Sequence, residues 1–157
     1  MTIRLTRPLP CAAVFLLAVL TPATAGVLGS CKPTQLQYRA TLLDQSYTTS
    51  STFVTIPQTA IPINLFEFSC VIVRFSAMTY ASDGRQVEIR AVLNSRVALP
   101  AAVQYSGDDS KANAHSYEFI FGRVEAGSYR LKMQFRSTLG GAVAVHRHTT
   151  VVQYNID

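Results

Sequence analysis

Apolar and polar residues alternate with a period of two along several short runs of this chain. In residues 128–136 (SYRLKMQFR), Tyr129, Leu131, Met133 and Phe135 fall on one side, and Arg130, Lys132, Gln134 and Arg136 on the other. That pattern predicts a strand with one face in a core and one in water. Residues 87–93 (VEIRAVL) repeat it, with Val87, Ile89, Ala91 and Leu93 inward. Residues 116–121 (SYEFIF) set Tyr117, Phe119 and Phe121 against Glu118, whereas residues 70–77 (CVIVRFSA) are more continuously apolar, as a central strand requires. Almost no stretch carries a helical period.

Turn-forming clusters separate the runs: Ser82-Asp83-Gly84, residues 106–110 (SGDDS), residues 125–128 (EAGS) and Gly140-Gly141. Their spacing fits hairpins and crossovers in an antiparallel β-sandwich, and among sandwiches a jelly roll. The chain has no Trp, and an antibody-like domain is disfavoured. Residues 45–55 (QSYTTSSTFVT) mix Ser and Thr with Tyr47, Phe53 and Val54 and are expected to lead into an edge strand. Pro57 and Pro62 favour edge or crossover positions.

The first residues change the picture of where the protein acts. Arg4 and Arg7 precede an apolar run from Cys11 to Leu20, which is followed by Ala23-Thr24-Ala25. This is the layout of a secretory signal peptide, with cleavage expected after Ala25. It leaves 132 of 157 residues, 26–157, as a single domain large enough for its own core. A competing expectation is a lipoprotein-type box at Leu28-Gly29-Ser30-Cys31, with Cys31 acylated and the protein then membrane-anchored. Without the signal, Cys31 and Cys70 remain, and an even pair in an exported chain reads as a disulfide. Its loop of 40 residues corresponds to about 4 kcal/mol in the chain-entropy account. Of 14 Lys and Arg, 12 remain against 9 acids, a net charge of +3 with the basic residues scattered singly. Neither nucleic acid nor an anionic membrane is called for.

Candidate chemistry is sparse. On a regular strand His146 and His148 share a face, with Arg147 opposite, and two imidazoles so placed could share a metal with further ligands such as His115. The spacing Gly140, five residues, His146, Arg147, His148 resembles the opening of the first cupin motif. Where that motif continues with a glutamate, Val152 and Gln153 stand, and no second motif follows. Val143 and Val145 alternate against His146, so the expectation is a pair of exposed strand histidines. Asp108-Asp109 lacks the spacing of a calcium loop. Glu67, Glu88, Glu118 and Glu125 form no telling pair, and neither a G-x-S-x-G nucleophile motif nor a phosphate-binding glycine loop occurs. No cofactor is expected.

The outward row Arg130, Lys132, Gln134 and Arg136, joined by Arg74, Arg90 and Arg147 if their strands adjoin, would form a cationic, amide-bearing face able to grip carboxylates or sugar hydroxyls. Tyr105 is expected to contribute from a loop. The segment from residues 126–129 (AGSY) through the glycine turn to residues 147–151 (RHTTV) resembles the last hairpin of small secreted bacterial and phage jelly-roll modules, distantly similar to C1q and tumour-necrosis-factor-like sandwiches. The resemblance implies fold and surface-display or oligomeric behaviour, and carries no catalytic residue. The expectation is a non-enzymatic binding or structural module of the bacterial envelope, periplasmic or extracellular, recognising a glycan or protein surface. The alternatives are a small metal-dependent enzyme centred on His146 and His148, or an oligomeric scaffold.

Overall fold

The computed structural model describes residues 35–40, 45–82, 84–106 and 111–154. The expected signal segment, Cys31 with its box and its disulfide, and residues 107–110 of the acidic loop lie outside the described residues. Within them the protein is all-β. No described helix is long and apolar enough to cross a membrane.

Among the described residues eleven strands form two antiparallel sheets. Sheet A has the order β1 (Gln35–Ala40), β11 (Val143–Tyr154), β5 (Ser69–Ala81), β9 (Asn113–Val124), with β2 (Ser46–Thr48) also pairing β11. Sheet B has the order β3 (Val54–Thr55), β10 (Gly127–Ser137), β6 (Val87–Leu93), β7 (Arg96–Val97), with β4 (Ile61–Leu65) on β10 and β8 (Val103–Ser106) on β6. Chain-consecutive strands therefore mostly change sheets: β2 to β3, β4 to β5, β5 to β6, β8 to β9, β9 to β10 and β10 to β11. The expected turns are crossovers of a jelly-roll-like sandwich rather than hairpins. At the β10–β11 crossover Gly140 and Gly141 take φ of 66° and 100°, and a Cβ on Gly141 would stand 2.6 Å from Arg85 Nε.

The alternation seen in sequence becomes the core. Ile89, Leu93, Leu131, Met133 and Phe135 of sheet B meet Phe75, Phe119 and Phe121 of sheet A, each 2 % exposed or less. As expected, β5 is central, paired by β11 on one side and β9 on the other. Tyr117 departs from expectation. It lies beyond the packed part of β9 and is 47 % exposed, although its ring still contacts Phe119. Pro62 sits on β4, which among the described residues pairs only with β10, so its missing N–H costs no ladder bond. Edge strand β9 is not open along its whole length, because Leu99 and Ile120 exchange both backbone hydrogen bonds, at 2.9 and 2.7 Å.

Candidate functional site

The cationic row divides between the two sheets. β10 and β6 do adjoin, in a register that places Gln134 opposite Arg90 and Arg136 opposite Glu88. Arg90 Nε donates to Gln134 Oε1 at 2.8 Å, and Arg136 Nε to Glu88 Oε2 at 2.8 Å. The segment joining β2 to β3 crosses from sheet A to sheet B and lays Phe53 on this outer face. Arg90 stands 4.0 Å from the centre of the Phe53 ring and Arg136 4.6 Å. Each such contact contributes about 0.5–1 kcal/mol in a partly exposed setting. Burial, then the neighbouring Arg136, lowers the Arg90 pKa from its ordinary value.

Three of the expected site residues, Gln134, Arg136 and the adjoining Arg90, are thus held in a fixed lattice. Lys132 and Arg130 continue the row outward. Among the described residues neither side chain has an ion-pair partner, and the Arg130 backbone is held by Asn94 Oδ1 at 2.8 Å. Phe53 was the missing member in sequence terms. Its signal was a lone Phe within a Ser- and Thr-rich run, where no periodicity could assign it a face.

Arg74 lies elsewhere, on the outer face of sheet A, where its Nε donates to Glu118 Oε1 at 3.0 Å and the two groups form an ion pair. Tyr105 is corrected outright. It is 1 % exposed, its hydroxyl donates to the Phe75 carbonyl at 2.5 Å, and its ring packs on Phe75. Burial raises its phenol well above the ordinary value, against a smaller opposing effect of the Tyr117 backbone. The alternation Val103, Gln104, Tyr105 in β8 already carried this inward orientation.

The histidine pair is separated by a β-bulge. Along β11 and β5 the register runs His146 to Met78 and then Thr149 to Ser76, so Arg147 and His148 together oppose Ala77. Arg147 takes φ of 38°, a left-handed conformation that costs a side-chain-bearing residue about 1–2 kcal/mol. Inward parity changes there: Val143 and Val145 are buried before the bulge, and His148, Thr150, Val152 and Tyr154 after it. His146 faces outward as expected. His148 does not share that face; it lies 2 % exposed in the core, its ring 5.6 Å from that of Phe75. Burial lowers its pKa, opposed by a hydrogen bond to the Pro57 backbone, while its Nδ1 is buried without a partner. Burial, then Arg147, likewise lowers the pKa of His146. His115 lies beside Tyr105, their rings 6.0 Å apart. Among the described residues no three His, Cys, Asp or Glu are grouped to hold a metal, and a shared His146–His148 ligand pair is excluded by their opposite faces.

No protein-family model matches the chain, and no curated protein matches it in sequence. Among solved structures, dimeric latent PorU from Porphyromonas gingivalis is similar over 83 % of this chain, with a TM-score of 0.54 and 10 % identity. The likeness is one of fold. It spans 14 % of the PorU chain, so the β-sandwich resembles one small part of a much larger protein. Two weaker similarities are to the VP2 subviral particle of infectious bursal disease virus (TM-score 0.43, 14 % identity, 76 % of this chain and 36 % of that one) and a family two carbohydrate esterase from Cellvibrio japonicus (TM-score 0.28, 11 % identity, 76 % and 35 %).

Proposed function

We propose that this protein is an exported, non-enzymatic β-sandwich that recognises a glycan or protein surface with the outer face of sheet B. The observation that carries the proposal is the Phe53 lattice. Arg90, Gln134 and Arg136 are immobilised before any ligand arrives, so little side-chain entropy is lost there on binding, and Lys132 and Arg130 extend the same face with unspent charge. In an oxidising compartment Cys31 and Cys70 would join as a disulfide, tying the segment before β1 to the central strand. The test is retention of the protein on immobilised polygalacturonate, with dextran as the neutral control. The double variant Arg130→Glu/Lys132→Glu should lose retention while its melting temperature stays within a few degrees of the parent. Equal retention of the two proteins would remove the outer face of sheet B from the binding role.

A second reading, the oligomeric scaffold, has one specific observation in its favour. Phe66 and Phe68 stand 74 % and 59 % exposed at the turn between β4 and β5, aromatic surface that a subunit contact would cover. Light scattering of the parent and of Phe66→Ser/Phe68→Ser separates the readings: a parent oligomer dissociated by the variant supports the scaffold, and a monomeric parent refutes it.

A further inference from the structure

At the bulge, the outer face of sheet A sinks into a depression of about 290 Å³ bordered by Ser76, Met78, Ala114, Ser116, Arg147 and Thr149. Side-chain size makes the hollow. Ser76, Ala114, Ser116 and Thr149 are small, whereas the next rows of the same face carry Arg74 with Glu118 and Ile72 with Ile120. Ser76 Oγ donates to Ser116 Oγ at 2.8 Å, which fixes two hydroxyls on the floor. The extra residue of the bulge sets Arg147 outward at the rim, exposed and, among the described residues, without a carboxylate partner. Arg74, on the same face, is already taken by Glu118.

We propose that this depression binds a carboxylate-bearing sugar residue, with Arg147 gripping the carboxylate, Ser76, Ser116 and Thr149 meeting ring hydroxyls, and Met78 with Ala114 lying against the apolar side of the ring. Charge selects the carboxylate. One guanidinium balances one negative charge and matches the planar carboxylate with two parallel hydrogen bonds, whereas a phosphate dianion would leave a charge uncompensated. Size selects a single residue, since the volume lies at the bottom of the range of about 300–1,000 Å³ typical of ligand sites. At the floor of the depression β5, which carries Ser76 and Met78, is paired on both sides and offers side chains rather than a free backbone edge. The site lies on the opposite sheet from Lys132, and Arg147→Gly tests it without touching the outer face of sheet B.

The test is an NMR-monitored titration of the intact protein with galacturonate, with galactose and inorganic phosphate as comparison ligands. Galacturonate should shift the amides of Ser76, Ser116 and Thr149 with a Kd of about 1 mM, in keeping with so small a contact. Galactose should bind at least about tenfold more weakly, the loss expected when a charge-assisted pair is absent. Arg147→Gly, whose glycine accepts the bulge conformation, should keep the fold and weaken galacturonate about tenfold or more. Absence of localised shifts, equal binding of galactose, tighter binding of phosphate, or parent-like binding by folded Arg147→Gly would each overturn the proposal.

Discussion

His148→Leu should remove a pH dependence from the stability of the fold. The imidazole is 2 % exposed, and burial depresses its pKa relative to the unfolded chain, where it titrates near 6.5. As pH falls through about 6.5 the unfolded state takes up a proton that the native state refuses. Native stability is therefore lost from that point down to the folded pKa, with a slope of at most about 1.4 kcal/mol per pH unit. Above pH 7 the substitution is near neutral. It removes the unpartnered Nδ1 but leaves the Pro57 carbonyl without its donor, and each effect is worth about 1–3 kcal/mol. Carboxylates and the outward-facing His146 act alike in both proteins and cancel in the comparison. Urea unfolding at pH 7.5 and pH 5.5 should show the variant gaining about 1 kcal/mol on the parent over that interval. A stability difference that is the same at both pH values would refute the assignment of a depressed pKa to a core histidine.

Other substitutions test the remaining features. Tyr105→Phe should cost about 1–2 kcal/mol through loss of the hydrogen bond to the Phe75 carbonyl, and Tyr105→Ala about 3–5 kcal/mol, both read by denaturant unfolding. Phe53→Ala should cost about 1–2 kcal/mol and loosen Arg90 and Arg136, visible as averaging of their guanidinium NMR signals. Arg147→Gly should leave stability within about 1 kcal/mol of the parent, since relief of strain and added unfolded-state entropy nearly cancel, whereas the β-branched Arg147→Val should be clearly destabilised. A double-mutant cycle on Arg74 and Glu118, whose side chains are 59 % and 47 % exposed, should return a coupling below about 1 kcal/mol.

The sheet-forming alternation of β6 and β10 was legible because each strand buries one face against the same core, and period two then records which residues are inside. Edge positions for Pro62 and for the run containing Phe53 were legible for a backbone reason, the lost donor of proline and the short strands around it. Tyr117 shows where alternation overreaches: the pattern continues past the end of the packed region, and the residue at the right parity has nothing to pack on. The bulge was not legible at all. Nothing in Val145 to Thr150 demands a positive φ, since no glycine or asparagine stands there. The two-residue misfit arises only when β11 must satisfy both β5 and the core, and it moves His148 to the opposite side from the one alternation assigns. The grouping of Arg90, Arg136 and Phe53 likewise depends on a crossover between sheets that local sequence does not encode.

The first residue of β1 and the last of β11, Gln35 and Tyr154, lie opposite each other at the same end of sheet A. A force applied between them would load the β1–β11 ladder one hydrogen-bonded pair at a time, as a zipper, rather than shearing all its pairs together. Under tension this seam should yield early and release β1, while β5, held by a full ladder on each side, keeps the rest of the sandwich closed.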